Sequence, residues 1–183
     1  MNIKDLGFTA DLTAYLKENN LSHFSVGRVT REDRERYVVS DGDREYEAEI
    51  TGNLRFSASS RTDFPAVGDW IIMTVYDSDQ AIINEILPRK SVLERLAVGK
   101  PGETQIISTN IDAALIVQAM NNNFSINRLE RYLTICYSAN IEPVLVISKI
   151  DLSTEKEVQD AISSLEKRDR RIKSILSKAS SPL

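Results

Sequence analysis

The stretch Pro143-Val144-Leu145-Val146-Ile147-Ser148-Lys149-Ile150-Asp151 decides the fold of the C-terminal half of this chain. Its apolar beginning predicts a short buried strand, and its polar end predicts a turn. Upstream, residues 111–120 form a second apolar run, and residues 127–139 have helical spacing of their apolar positions. The order strand, helix, strand predicts a βαβ unit with parallel strands and a right-handed crossover.

A further helix is predicted after this stretch, because Thr154 and Glu157 have the spacing of a capping box. Apolar positions continue to Leu176, although the charged block 167–171 interrupts them. Two strands cannot close a doubly wound domain, which needs about five or six strands. We therefore expect an incomplete βαβα segment over residues 105–183, within a chain of β plus α/β class.

Two interpretations fit the turn Ser148-Lys149-Ile150-Asp151. In the first, the turn recognises guanine: the Asp151 carboxylate accepts hydrogen bonds from N1–H and the 2-amino group, and the Lys149 stem covers the ring. In the second, it is an ordinary strand-to-helix turn in which Asp151 and Ser153 cap the next helix. No Gly-x-x-x-x-Gly-Lys-Ser/Thr loop, which would hold nucleotide phosphates, occurs in the sequence.

The N-terminal half has a different pattern. Residues 1–23 predict a lead-in with a short helix, and residues 24–88 contain short alternating segments separated by turn residues such as Asp41-Gly42. About five such strands favour a small barrel of the OB type. The expected strands are Phe24–Thr30, Arg36–Ser40, Glu45–Ile50, Trp70–Tyr76 and Ala81–Leu87. Residues 89–104, which are rich in Gly, Pro and basic side chains, are predicted to be a linker.

Basic side chains in the barrel and the linker are candidate RNA contacts, because OB barrels bind RNA with basic loops and stacking aromatic rings. Interleaved acidic residues allow a simpler interpretation, in which these side chains form solvated strand faces with surface ion pairs. The candidates are Arg28, Arg31, Arg34, Arg36, Arg44, Arg55, Arg61, Arg89 and Lys90.

The composition of the chain excludes several classes of protein. The 183-residue chain has a formal net charge of −4, which argues against a wholly basic nucleic-acid binder. The lone Cys136 and lone His23 offer neither a disulfide framework nor a zinc cluster. There is no secretory signal pattern, and no apolar run approaches the ~20 residues of a membrane span. We expect a cytoplasmic monomer that does not associate with membranes.

Several motifs, taken in their order and spacing, resemble the circularly permuted, ribosome-associated GTPases of the small ribosomal subunit-dependent GTPase A family. The resemblance runs from about Gly27 to Leu152. It rests on Pro65-Ala66-Val67-Gly68-Asp69-Trp70, Ile86-Leu87-Pro88-Arg89-Lys90-Ser91, Glu94-Arg95, residues 105–112, Asn127-Arg128-Leu129-Glu130-Arg131-Tyr132-Leu133 and residues 143–152.

The resemblance implies an OB domain followed by a permuted GTPase domain, in which the guanine motif precedes the phosphate loop and switches. It implies GTP/GDP and Mg²⁺ as ligands, ribosomal RNA and the small (30S) subunit as partners in subunit maturation, and ribosome-stimulated hydrolysis. By this resemblance the chain ends before the phosphate loop and the family's zinc domain, so we expect it to be inactive alone. A non-catalytic RNA-binding module derived from such a GTPase is the alternative. Ser148 stands where the family usually has Asn.

Overall fold

A computed structural model describes residues 2–34, 36–96, 102, 104–168 and 173–178. The chain divides into two compact units, 1–111 and 112–183. The boundary therefore lies a few residues after the one predicted from the sequence, at 104/105.

Unit 1 is built around a closed five-stranded barrel with the strand order β1-β2-β3-β5-β4. The pair β3–β5 is parallel and the other pairs are antiparallel. All five predicted strands are present within a few residues of their predicted ends, which confirms the OB-type barrel. The strands are β1 (Ser25–Asp33), β2 (Arg36–Ser40), β3 (Glu45–Ile50), β4 (Trp70–Val75) and β5 (Gln80–Ile86).

Alternation along β3 shows why these residues form a barrel strand. Tyr46, Ala48 and Ile50 are buried, and the glutamates between them are exposed. The inward side chains join a core with Val39, Ile83 and others of the same kind. The predicted hairpin between β2 and β3 is confirmed, and Asp41 organises its turn by accepting hydrogen bonds from the backbone N–H groups of Asp43 and Arg44, both at 2.8 Å.

A short helix, α2 (Gly52–Ser57), follows β3. Outside the barrel wall, helix α1 (Ala10–Glu18) and the residues before it pack on a second cluster. Trp70 lies at its centre, only 2% exposed, with Phe8 edge-on at 4.9 Å. Gly68, two residues before β4, has φ +96°, and a Cβ on this residue would lie 2.2 Å from the Thr109 carbonyl oxygen. The close approach of these two backbones therefore requires glycine.

The predicted linker, residues 89–104, contains a strand in the structure. Residues Val92–Leu96 form β6, which pairs antiparallel with β7 (Thr104–Thr109). The hairpin is attached to unit 1, because the Thr109 N–H donates to the Val67 carbonyl at 2.9 Å and the Ser108 hydroxyl donates to the same oxygen. Turn residues and basic charge around these two strands favoured a linker, although the strands themselves contain Val92, Leu93, Leu96, Ile106 and Ile107.

Unit 2 contains the predicted βαβ arrangement. Strand β8 (Ala113–Ala119) is followed by helix α3 (Ile126–Ser138), strand β9 (Glu142–Ser148) and helix α4 (Glu155–Arg168). Strands β8 and β9 are parallel, with Ile116 paired to Leu145. Helix α3 buries Leu129, Leu133 and Cys136.

A third strand corrects the two-strand prediction. Residues Lys173–Leu176 form β10, parallel to β9, in a sheet of order β10-β9-β8. Both crossovers step in the same direction, so right-handedness places both helices on one face. The other face accordingly leaves Leu115 67% and Val117 63% exposed, although the sequence of β8 is largely apolar.

Candidate functional site

The candidate guanine loop leaves the carboxyl end of β9. Lys149 adopts the left-handed conformation, with φ 56° and ψ 37°, and a short 3-10 turn follows at Ile150–Leu152. A side chain other than Gly, Asn or Asp in this region carries about 1–2 kcal/mol of strain, and such strain concentrates at functional sites. Ligands of open α/β sheets bind beyond the carboxyl ends of the strands, and this loop lies at such an end.

Neighbouring elements hold this loop in place. The Ser148 carbonyl accepts from the Met120 N–H at 2.8 Å, and the Ser153 hydroxyl donates to the Met120 carbonyl at 3.2 Å. Lys149 and Asp151 are both exposed, and Ser148 is partly buried. The loop therefore presents two polar side chains from a backbone that β8 supports.

The alternative interpretation, helix capping by Asp151 and Ser153, is wrong for Ser153, whose hydroxyl is directed at Met120. Thr154 and Glu157 form the predicted capping box: the Glu157 carboxylate accepts from the Thr154 N–H at 2.8 Å, and the Glu157 N–H donates to the Thr154 hydroxyl at 3.3 Å. Hydrogen bonds from Thr154 hold the pKa of the Glu157 carboxyl below its usual value.

Ser177 is a neighbour of the loop that the sequence reasoning missed. Its N–H donates to the Ile147 carbonyl at 2.9 Å, and its carbonyl accepts from the Ile150 N–H at 3.3 Å. The end of β10 thus lies beside the turn. The residues Lys173–Leu176 are two polar residues followed by two apolar ones, so their pattern does not predict a strand.

A hollow of about 420 Å³ adjoins the same strand ends in unit 2. It is open and largely polar, in contrast to a closed apolar cavity. Its lining is Met120, Asn121, Asn122, Asn123, Leu152, Ser153 and Glu157.

Seven of the nine basic candidates in unit 1 have exposed side chains: Arg31, Arg34, Arg36, Arg44, Arg55, Arg61 and Lys90. Three of them form surface ion pairs: Arg31 with Asp33 at 3.0 Å, Arg44 with Asp43 at 3.9 Å, and Arg61 with Glu32 at 3.3 Å. Exposed pairs of this kind contribute little, about 0–1 kcal/mol, so they leave these arginines available to a stronger anionic partner.

Arg28 and Arg89, the other two candidates, are partly buried, and their guanidinium groups contact the protein itself. Arg28 donates to the carbonyls of Leu6, Gly68 and Asn110 and lies 5.5 Å from the centre of the Trp70 ring. Arg89 donates to the Thr62 and Phe64 carbonyls and pairs with buried Asp69. Sequence alone does not distinguish an internal arginine from a surface one.

Among the residues that the structure describes, no group of three or more His, Cys, Asp or Glu side chains is placed to hold a metal ion. None of their helices is long and apolar enough to cross a membrane.

The sequence model of the family described as RsgA GTPase matches residues 86–181, just over half of the chain. The chain belongs to this family. The matched residues include β8, β9 and the loop at Ser148–Asp151.

Curated relatives extend the match toward the N-terminus. Small ribosomal subunit biogenesis GTPase RsgA 2 of Lactiplantibacillus plantarum is 39% identical over 155 residues, which are 85% of this chain and 43% of the relative. RsgA 1 of Bacteroides thetaiotaomicron is 31% identical over 90% of this chain and 46% of its own length. The chain thus spans about half the length of the curated relatives it matches.

Solved structures agree on the fold. The circularly permuted GTPase YloQ superposes with a TM-score of 0.65 at 22% identity, over 87% of this chain and 53% of that one. YjeQ from Thermotoga maritima gives a TM-score of 0.65 at 20% identity, over 84% and 51%. At these identities the likeness establishes architecture.

Proposed function

We propose that this chain carries the guanine-recognition part of a GTP/GDP site, within a GTPase of small-subunit biogenesis. The observation that carries the proposal is Lys149 held in a left-handed conformation at the carboxyl end of β9, next to exposed Asp151. Such an arrangement suits a carboxylate that reads the N1–H and 2-amino edge of guanine. A site built on this pairing discriminates strongly, because the wrong base leaves polar groups unpaired.

The experiment is an NMR titration of the chain with GMP and, separately, with AMP. GMP is expected to shift the amides around Ser148–Leu152, and AMP is expected to leave them unchanged. Asp151→Ala should remove the response, and Asp160→Asn, an exposed carboxylate of α4, is the matched control. Equal responses to both nucleotides, or an unaltered GMP response in Asp151→Ala, would contradict the proposal.

A base swap sharpens this test. Xanthine has a carbonyl at C2 where guanine has an amino group, so its edge pairs with a donor. Asp151→Asn supplies that donor through its amide and should therefore transfer preference from GMP to XMP. If Asp151→Asn lost binding to both GMP and XMP, the result would indicate that the substitution destabilises the loop and would not support recognition of the guanine edge by Asp151.

The second part of the proposal is that the barrel contacts ribosomal RNA of the small subunit. It is supported by the seven exposed basic side chains on unit 1 and by the names of the relatives, which are small ribosomal subunit biogenesis GTPases. Mg²⁺ and the phosphate groups would be bound by parts of a GTPase outside the motifs found here. We place this activity in the cytoplasm and expect the chain to act as a monomer.

Salt dependence tests the RNA contact. Binding of the chain to purified small subunits should weaken steeply between about 50 and 200 mM salt, because each phosphate contact releases counterions. Arg36→Gln and Arg44→Gln should each reduce the slope of log K against log[salt] by about one. Lys156→Gln in α4 is the charge-matched control in the other unit. Binding that ignores salt would contradict the proposal.

A further inference from the structure

Phe56 has the most exposed large apolar side chain in the part of the chain that the structure describes, at 91% of its full area. It lies in the short helix α2 (Gly52–Ser57), which joins β3 to β4. Burial of an aromatic ring is favourable because it removes apolar surface from water, and the fold gains almost none of this contribution from Phe56. A partner that covers the ring would gain it instead.

The ring stands on a fixed support. The Thr51 N–H donates to the Ile83 carbonyl of β5 at 3.1 Å, and the Thr51 hydroxyl accepts from the Leu54 N–H at 3.2 Å. Leu54 packs against the barrel core. Two residues further along a helix is a rotation of roughly 200°, so Phe56 is directed away from the barrel that Leu54 faces.

The surroundings of Phe56 favour a nucleic acid over a protein. Residues 51–62 include two arginines and no acidic residue, and Asn53, Arg55, Ser57 and Ser59 are exposed. The next residue, Asp63, accepts hydrogen bonds from the Ser59 and Ser60 N–H groups at 2.8 and 2.9 Å. Arg61 is 57% exposed, and its contact with Glu32 is a surface pair. A protein-docking patch would show several adjoining apolar side chains. A single ring among basic and hydroxyl groups matches the combination of base stacking and phosphate contact.

We propose that Phe56 is a stacking platform for an unpaired RNA base, with Arg55 contacting the adjoining phosphate. The inference rests on the proposed binding of small-subunit RNA and names the residue that would hold a base. Single-stranded loops and bulges are the RNA elements whose bases are free to stack on aromatic rings.

The test compares small-subunit binding by the wild-type chain with that of Phe56→Ala, Phe56→Leu and Phe56→Trp. Phe56→Ala and Phe56→Leu are expected to weaken binding by about 5- to 100-fold, which is the range for loss of one base stack. Phe56→Trp should bind as well as the wild type. Tyr132→Ala, which removes a 48%-exposed ring from α3, is the control and should have no effect.

A spectroscopic readout separates stacking from general apolar contact. The tryptophan of Phe56→Trp should be quenched when a single-stranded RNA oligonucleotide binds, whereas Trp70, which is 2% exposed, should respond little in the wild type. Full binding by Phe56→Leu, or no quenching in Phe56→Trp, would overturn the stacking proposal.

The outcomes distinguish this inference from the function on which it rests. If the wild type binds small subunits with steep salt dependence and Phe56→Ala binds equally well, only the stacking role fails. If the wild type does not bind small subunits at all, the proposed RNA contact fails as well.

Discussion

Arg89 and Asp69 form a two-point ion pair inside unit 1: Arg89 Nε lies 2.9 Å from Asp69 Oδ1, and Nη2 lies 2.7 Å from Oδ2. Asp69 is fully buried, and it also accepts from the Thr109 hydroxyl at 2.6 Å and the Ala66 N–H at 2.8 Å. One carboxylate therefore joins the start of β4, the segment after β5 and the end of β7. A satisfied buried network of this kind fixes an arrangement more than it adds stability.

Arg89→Ala is expected to lower the free energy of unfolding by about 3–5 kcal/mol, because it leaves the Asp69 carboxylate buried without its cation. Urea denaturation followed by Trp70 fluorescence measures the change. Lys90→Ala removes the neighbouring exposed charge and should cost less than about 0.5 kcal/mol. A loss below about 1 kcal/mol for Arg89→Ala would contradict the internal role assigned to this side chain.

Arg89→Lys tests the geometry of the same pair. Lysine keeps the charge but cannot donate in a planar fork to both carboxylate oxygens and to the Thr62 and Phe64 carbonyls. The variant should therefore be less stable than the wild type and more stable than Arg89→Ala. Stability equal to that of the wild type would show that the charge alone is sufficient.

The hairpin residue Asp41 should make the barrel sensitive to acid. Burial raises the pKa of its carboxyl, but the hydrogen bonds from Arg44, Asp43 and Tyr46 outweigh burial, so the pKa lies below its usual value. The stabilisation is present above the unfolded pKa of about 3.9 and is lost as the pH falls through the lower folded pKa.

Unfolding measured from neutral pH to about pH 2 checks this expectation. The stability difference between wild type and Asp41→Asn should be about 1 kcal/mol at neutral pH and should shrink below about pH 4. Asp79→Asn, in the β4–β5 turn, is the control. A difference that is constant with pH would mean that the Asp41 charge does not contribute.

Local pattern was sufficient to predict most of the barrel. The residues Glu45–Ile50 alternate strictly, so one face had to be buried, and Asp41-Gly42 marked the turn before them. The capping box at Thr154 and Glu157 could also be predicted, because it depends on two side chains three residues apart. These features are local in sequence, and the structure confirms them.

Contacts between distant residues could not be predicted. Arg89 lies 20 residues from Asp69, and Arg28 lies 82 residues from Asn110, whose carbonyl accepts from it. Only the folded chain shows that both arginines face inward. Strand β10 was missed for a similar reason: its four residues form a strand because β9 offers an open edge. The guanine role of Asp151 stays a prediction.

Ser148→Asn is expected to strengthen guanine binding. Ser148 ends β9 next to the left-handed Lys149, and a longer amide at this position could bond to the base and brace the loop together. One added hydrogen bond is worth about 1 kcal/mol, or roughly fivefold in affinity for GMP. Ser138→Asn at the end of α3 is the control. An equal gain in affinity for AMP would show that the substitution does not act through recognition of guanine.

The chain alone is expected to release no phosphate from GTP above the rate without protein. Phosphoryl transfer needs a backbone cradle with a lysine on the β- and γ-phosphates, and a Ser/Thr and an Asp that hold Mg²⁺. The sequence has no Gly-x-x-x-x-Gly-Lys-Ser/Thr loop to provide that cradle. Asp151 would contribute affinity for the base and no chemistry. Contaminating enzymes are excluded by comparing wild type with Asp151→Ala after repurification. Release that survives repurification and disappears in Asp151→Ala would show that this chain hydrolyses GTP by itself.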